Sequence, residues 1–465
     1  MNHKTIQFKH IWVLGLARSG LECAKKMIQL GFNVSVWDDD SKKRQACDGF
    51  NLLSPDQVSS IDQPPDCIVL SPGIASYGPE AHLAALWAKQ NHITILCDVA
   101  LFCMLYNKAR LIAITGTNGK STLASMIAHI LDELGYEVAL GGNIGTACFS
   151  LPILSDQGFY VFELSSYQLE RMGDMTFDYS VITNITRDHI ERHLTMENYI
   201  QAKSVALKGL GQKNAFIPVI GIDSQESLSL AKSFSNKGSN SVIEVSGKNV
   251  LKNGIGVKDH ILFDDAKSIL NLFDLPQLPG HHNASNIGCA WGVLKQIGVS
   301  SVGFKKALQN FKPLAHRQCK IAQYQNIVFI DDSKATNVEA TLHALQAWPD
   351  CLWIVGGQGK NEDYKPLIDY ALKYVHKAYL IGKMQGVLHD LMGEQKLLHI
   401  CCSTLENAVE KAFIDAVKLQ KERSRQISIL LSPAAASFDQ FENFESRGKA
   451  FASLATWHIA SKNSD

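Results

Sequence analysis

The chain of 465 residues lacks a charge imbalance: 45 Lys and Arg stand against 45 Asp and Glu. No global field therefore draws it to nucleic acid or to an anionic membrane. It lacks any uncharged apolar run near the ~20 residues that a membrane span needs. It also lacks a C-x-x-C pair, and its 11 cysteines are scattered and odd in number. They read as small buried apolar residues in a reducing compartment, not as disulfide staples or a zinc cage. Repeats and low-complexity tracts are missing as well. The start, MNHKTIQFKHIWVLGLARSG, has basic residues before a short apolar run that passes straight into a glycine turn. It reads as a first strand and not as a signal peptide, so the expected location is the cytoplasm.

What is present is a globular composition, 46% hydrophobic and 19% charged, at a length that suggests about three domains. Short β-rich runs alternate with helical periodicity, which predicts parallel sheets covered by helices. The first block carries strands in HIWVLG, NVSVWD and DCIVLSPG, with a helix from about Ser19 to Leu30. The region from Asp98 to Asn107 reads as a bridge to a second block, with strands LIAIT, FYVFEL and YSVITNI and helices near 121–134 and 197–209. A third block starts toward Pro313, with strands NIVFIDD, CLWIVGG, KAYLIG and ISILLSP and a last helix from about Glu445 to Ala460. Ligands of open α/β sheets sit on the loops at the strands' carboxyl ends.

Three glycine turns occupy such places. In ITGTNGKST, Gly116 and Gly119 allow close backbone approach and Lys120 can reach the β- and γ-phosphates of a nucleotide. Ser121 offers a hydroxyl to Mg2+, and the following helix turns its positive end to the anion. The usual phosphate loop has glycine where this chain has Ile114, so the loop is shorter. In the first block Gly15 and Gly20 flank LARS, with Asp38 at the end of the next strand. That is either a plain βα turn or an anion site in which Asp38 takes a ribose hydroxyl. In the third block VGGQGKNED sets Lys360 among glycines, an exposed lysine unless its neighbours give it a task.

Polar groups gather around these turns. Glu163 ends an apolar strand, either as a simple cap or as a second magnesium carboxylate. His189 and His193 lie four apart, but Glu191 is misplaced for the H-E-x-x-H pattern of a zinc protease. Lys203 by itself reads as a solvated helix lysine. Asn283 and Asn286 open a helix, suited to a base or ribose or simply to capping. Arg317, Asp332, Lys334 and Thr336 begin the third block, and Ser437 and Phe444 lie in a small polar loop after its last strand.

Together GTNGKST, GGNIG, ELSSYQLE, HHNASN, DDSKATN, GGQGK and SPAAASFDQFENFESRG resemble the Mur ligase family in kind and in order, across essentially the whole chain. The shortened phosphate loop is that family's form. The resemblance implies an α/β protein of three domains, each a mainly parallel sheet with helices. These are a Rossmann-like domain for the UDP-linked substrate (1–98), a P-loop ATPase-like central domain (99–312) and a Rossmann-like amino-acid domain (313–465). It implies a monomer that uses ATP to join D-glutamate to UDP-N-acetylmuramoyl-L-alanine through an acyl phosphate, with no nucleic-acid partner and no membrane insertion.

The same resemblance assigns Gly116, Thr117, Asn118, Gly119, Lys120, Ser121 and Thr122 to the triphosphate. Asn283, Asn286, Arg317 and Asp332 fall to the rest of the nucleotide. It gives Leu16, Ala17, Asp38, Gly73, Asn143 and Gln168 to the UDP-linked substrate, with Ala17 departing from the hydroxyl residue expected there. Lys334, Thr336, Lys360, Ser437 and Phe444 go to D-glutamate. Two Mg2+ ions are implied, with ligands among Ser121, Glu163, His189 and a carbamylated Lys203, and catalysis falls to Lys120, His189 and Lys203. The rival readings are another peptidoglycan or folylpolyglutamate ligase, whose aromatic-Ala-His-Asn-Pro-like turn is replaced here by SKATN, and a nucleotide-binding regulator without catalysis.

Overall fold

The computed structural model describes residues 8–45, 47, 49–208, 217–235, 241–359, 363–422 and 424–464. Within them the β-rich runs form three mainly parallel sheets of five, nine and six strands. The first has the order 51–52, 33–37, 10–14, 67–70, 94–96, all parallel. Its central strand, His10–Leu14, is buried throughout and apolar from Ile11 onward because both faces are covered, with the His10 ring paired to Gln63 O and Ser35 Oγ. Ile11 and Val13 enter one apolar cluster, Trp12 and Leu14 the other. The third sheet repeats this logic: Val328 and Ile330 pack to one side, Ile327 and Phe329 to the other.

The stretch read as a bridge is the helix Asp98–Leu105, nearly all of it buried. Its apolar residues share one cluster with Val13 and Val36 of the first sheet and with Tyr160 and Phe162 of the second. At its centre Phe102 meets Phe149, Tyr160 and Phe162 edge-on, with ring centres 5.5, 5.1 and 5.9 Å away.

The nine-stranded sheet runs 267–271, 261–264, 255–258, 243–245, 219–221, 179–182, 110–115, 159–163, 138–142. The sheet is mainly parallel, as expected, but its edge strands 255–258, 261–264 and 267–271 pair antiparallel. The turn between the first two is Asp259–His260, both left-handed at φ +49° and +60°. That is a two-residue hairpin without the Asn-Gly or Asp-Gly pair that would betray it in the sequence. The six-stranded sheet, 319–324, 327–331, 427–431, 351–356, 375–381, 399–403, likewise has one antiparallel pair, at its 319–324 edge.

The chain divides into two compact units, Met1–Pro276 with His281–Phe311 and Gln277–Gly280 with Lys312–Asp465. The first holds the five- and nine-stranded sheets, the second the six-stranded sheet. Nine of the 11 cysteines are buried and all are free thiols, whereas Cys401 is exposed. Among the described residues no helix is long and apolar enough to cross a membrane.

Candidate active site

In the first unit the strand Arg110–Thr115 lies where the strand order reverses. Its two neighbours, Phe159–Glu163 and Tyr179–Ile182, come later in the chain and take opposite sides. The loop after it is left-handed at Gly116 (φ +143°) and Gly119 (φ +84°), and the helix Lys120–Glu133 follows. A Cβ on Gly119 would come 2.6 Å from Asn286 Oδ1, and one on Gly116 would run into the Thr183 hydroxyl. Only glycine fits both positions.

The loop is braced by the end of the next strand. The amides of Thr117 and Asn118 donate to the carbonyl and the side-chain oxygen of Asn184, each at 2.9 Å, and Thr183 Oγ1 donates to the Asn118 carbonyl at 2.6 Å. Gly119, at the N-cap, has no side chain with which to cap the helix, so first-turn amides face the place an anion takes. Ser121 and Thr122 lie buried in that turn. Lys120 Nζ donates to the carbonyls of Gly116 (3.0 Å) and Thr117 (2.7 Å).

A second amine reaches the same carbonyl. Lys203, on the helix Met196–Ser204, is only 2% exposed and donates from Nζ to Gly116 O at 2.6 Å. Burial above all, then the charge of Lys120, holds this amine well below the ordinary lysine range, against the opposite pull of Asp188 and Glu163. Burial thus favours the uncharged amine over the ammonium at this position.

Glu163, 1% exposed at its strand's end, accepts from Asn143 Nδ2 at 2.8 Å through Oε1. Its Oε2 is buried with no hydrogen-bond partner among the described residues. His189 sits at φ +56° before the short helix Ile190–His193, with Nδ1 3.0 Å from the Tyr167 hydroxyl. Among the described residues no three His, Cys, Asp or Glu side chains converge to hold a metal ion. The orphaned Glu163 oxygen nevertheless suits a hard divalent cation, whose remaining ligands would be hydroxyl, phosphate or carbamate oxygens.

The first sheet's glycine turn is built differently. Leu16 N donates to Asp38 Oδ2 at 2.7 Å and Asp40 N to Asp38 Oδ1 at 3.0 Å, so both carboxylate oxygens brace backbone. Ala17 is the exposed N-cap of the helix Arg18–Gln29, which has no side-chain cap. Gly73 is exposed in the loop after the strand Cys67–Leu70. Gln168 is buried, and its side-chain oxygen closes a capping box with Ser165.

In the second unit the loops after Ile327–Asp331 and Ile427–Leu431 lie side by side, because those strands pair. Asp332 accepts from Ser432 Oγ at 2.8 Å. Burial pushes its carboxyl up to about 8, against that hydrogen bond and the charge of Arg317. Arg317 is partly buried between left-handed His316 and Gln318, and Thr336 is partly buried just before the N-cap Asn337. Lys334 Nζ lies 3.9 Å from the centre of the Phe444 ring. Ser437 is buried with its hydroxyl unpartnered among the described residues. Lys360 lies outside the described residues.

Arg447, 1% exposed, ties these loops together. Its Nε donates to Ser333 Oγ (3.0 Å), Nη2 to the carbonyls of Ser333 (2.8 Å) and Ala435 (3.0 Å), and Nη1 to that of Ala436 (3.3 Å).

Residues 114–294 match the family model described as the Mur ligase middle domain. The UDP-N-acetylmuramoylalanine–D-glutamate ligase of Paramagnetospirillum magneticum is 36% identical over 448 residues, covering 96% of each chain. The ligase of the same name from Phenylobacterium zucineum is 35% identical over 451 residues, covering 94% of each. The chain belongs to the Mur ligase family. The fold agrees: the crystal structure of the UDP-N-acetylmuramate–alanine ligase from Thermotoga maritima matches with a TM-score of 0.56 at 15% identity, over 98% of this chain and 100% of that one.

Within this Mur ligase, the first unit brings Gly116, Thr117, Lys120 and Lys203 together and sets the Asn286 amide against Gly119. It pairs Asn143 with Glu163. Asn283 is buried one turn before Asn286 on the helix His281–Ile297. Sequence reasoning passed over Thr183, Asn184, Tyr199 and Arg447. Three of these stand inside stretches already quoted, YSVITNI and SPAAASFDQFENFESRG, but an amide or hydroxyl at a strand's end looks like ordinary loop chemistry until its partners are seen.

Proposed function

We propose that this Mur ligase joins D-glutamate to UDP-N-acetylmuramoyl-L-alanine at the expense of ATP, in peptidoglycan precursor synthesis, as a cytoplasmic monomer. The observation that carries the reading is the convergence of two lysine amines, Lys120 and Lys203, on the Gly116 carbonyl of a phosphate loop. It occurs in a chain 36% identical to a D-glutamate ligase over nearly its full length.

A carboxylate does not accept an amine, because oxide is too poor a leaving group. Transfer of the γ-phosphoryl group to the substrate carboxylate makes an acyl phosphate and ADP. The D-glutamate amine then attacks the acyl carbon, the amine proton is lost, and the C–O bond to phosphate breaks. Negative charge accumulates on oxygens in both steps, so fixed cations and amides supply most of the stabilisation. Lys120 takes the triphosphate together with Gly116, Thr117, Asn118, Gly119, Ser121 and Thr122, while Asn283, Asn286, Arg317 and Asp332 take the rest of the nucleotide. Residues 1–98, through Leu16, Ala17, Asp38 and Gly73, take the UDP-linked substrate with Asn143 and Gln168 of the central domain (99–312). Residues 313–465 take D-glutamate, with Lys334, Thr336, Lys360, Ser437 and Phe444 around it.

Two Mg2+ ions would be held by Ser121 and Glu163 and by His189 and Lys203; bound there, they neutralise charge on the phosphate oxygens. Lys203 serves as a carbamate: its neutral amine adds to carbon dioxide, forming N–C and releasing one proton, so that a buried neutral amine becomes an anion with two oxygen acceptors. The lowered basicity of the amine favours that addition.

With ATP, Mg2+ and UDP-N-acetylmuramoyl-L-alanine, phosphate release should require D-glutamate and ignore L-glutamate. Equal rates with L-glutamate or L-lysine would contradict the reading.

A further inference from the structure

Around the first sheet's loop after Cys67–Leu70, side chains from the nine-stranded sheet's own loops bond to that loop's backbone and to Tyr77, although Glu170 Oε2, Arg171 Nε and Arg192 Nε stay buried without a partner among the described residues. Arg171, 2% exposed, donates to the carbonyls of Leu70 (3.3 Å), Ser71 (2.9 Å) and Ile74, and Arg192 Nη2 donates to Ile74 O at 3.2 Å. The Tyr77 hydroxyl donates to Glu170 Oε1 at 2.6 Å. His193, 0% exposed, puts Nδ1 3.0 Å from that same oxygen and 3.2 Å from the Tyr77 hydroxyl, and its Nε2 lies 2.9 Å from Ser166 Oγ. Burial pushes the Glu170 carboxyl up, but His193 and Tyr77 outweigh it and hold the group below the usual carboxylate range.

The imidazole is also gripped on its faces. The Tyr167 ring stacks on it at 5.6 Å and 23°, and the Tyr199 ring lies 5.2 Å away. Each tyrosine hydroxyl reaches a residue already described: Tyr167 OH lies 3.0 Å from His189 Nδ1, and Tyr199 OH 3.1 Å from Thr117 Oγ1. One buried side chain therefore stands between the loop that carries Gly73 and the two supports of His189 and the phosphate loop.

We propose that His193 is a positioning residue, acting through Glu170 and Tyr77 to hold the Gly73–Tyr77 loop in register with His189 and Thr117. The loop's contact with a UDP-linked substrate rests on the function proposed above. The latch itself does not, because its parts are bonds between the first sheet's loop and the central sheet's helices. His193 touches no reacting atom and needs no change of protonation to do this.

Tyr77→Phe removes only the hydroxyl at the outer end of the latch. Losing one such charge-assisted bond corresponds to roughly 10-fold faster amide hydrogen exchange across 71–77. Exchange in the helix Lys120–Glu133 and the melting temperature should stay as in the wild type. The KM for UDP-N-acetylmuramoyl-L-alanine should rise by roughly the same factor, with kcat and the KM values for ATP and D-glutamate within about 2-fold. His193→Gln, which also removes the ring between Tyr167 and Tyr199, should raise the KM for ATP as well. Glu170→Gln, which keeps an acceptor for Tyr77, should fall between wild type and Tyr77→Phe. Unchanged exchange across 71–77 in Tyr77→Phe, or equal rises in all three KM values, would overturn the proposal. If the wild-type enzyme ignores the UDP-linked substrate, the functional reading fails, and the exchange comparison still decides the latch.

Discussion

The two units brace their strand-end loops by different means. In the first, the loop Gly116–Gly119 is shaped by two left-handed glycines and braced by neutral groups, the Thr183 hydroxyl and the Asn184 amide. In the second, the loops around Ser333 and Ala435 are pinned by one buried cation, Arg447, with four hydrogen bonds. Burial lowers that guanidinium to about 10, so it remains charged at neutral pH. The contrast follows from what each loop must leave free. A loop that cradles an anion leaves the first-turn amides of the following helix facing the anion, so its own amides are braced by neutral acceptors that add no competing charge. A loop that displays side chains instead needs its carbonyls neutralised from behind, and a planar fork with several donors does this with one residue.

The largest effect should come from the cation that the first loop does not keep as a cation. Lys203→Ala should lower turnover by on the order of 10³-fold, as loss of a charge-stabilising group does. Millimolar acetate or formate should restore part of it by occupying the vacated carbamate position, whereas Lys203→Arg should be inactive and beyond rescue. Full activity in Lys203→Ala, measured as phosphate release, would remove the carbamate from the mechanism.

Next comes the pin of the second loop. Arg447→Ala takes a donor from Ser333 Oγ and from the carbonyls of Ser333 and Ala435, while Ala436 O keeps the Gln358 amide, and should destabilise the second unit by about 3 kcal/mol in denaturant titrations. Arg447→Lys should recover little, since an ammonium cannot span both loops. A variant with wild-type stability would show that the loops hold themselves.

The brace of the first loop is smaller. Asn184→Ala should cost ~1–2 kcal/mol and raise the KM for ATP by roughly 10-fold, with the fold intact by circular dichroism. An unchanged KM would mean that the glycine geometry alone fixes the loop.

The last effect is one of pH and concerns Asp332. Its folded value, about 8, lies above the ordinary aspartate value of 3.8. Its contribution to stability is therefore complete below pH ~4 and is lost as pH rises through 8. The second unit's melting temperature should fall over that window, and Asp332→Asn should flatten the fall. Parallel profiles for the two proteins would contradict the assignment.

Much of the fold was legible because a strand covered on both faces spells itself out. IWVL and CLWIVG have no charged or strongly polar residue to place on a solvent side. The edge hairpin 255–271 was not, because its turns use Asp259, His260 and Asp265 in left-handed conformations instead of glycine. The phosphate loop was legible for a chemical reason, since glycines beside Lys-Ser-Thr have few other uses. Lys203 was invisible by itself: a lysine on an amphipathic helix looks solvated, and only the fold puts it 2% exposed against Gly116. Arg447 and His193 show the same limit. Each is defined by backbone carbonyls or side chains brought from far along the chain, and a local pattern carries no trace of those partners.

The central claim is that the substrate carboxylate is activated by phosphoryl transfer before the amine attacks. It is tested most directly by labelling both carboxylate oxygens of UDP-N-acetylmuramoyl-L-alanine with oxygen-18 and weighing the products after turnover with ATP and D-glutamate. The account predicts that one labelled oxygen leaves in each released inorganic phosphate and the other stays in the new amide. Unlabelled phosphate, or label in AMP with pyrophosphate as co-product, would contradict it.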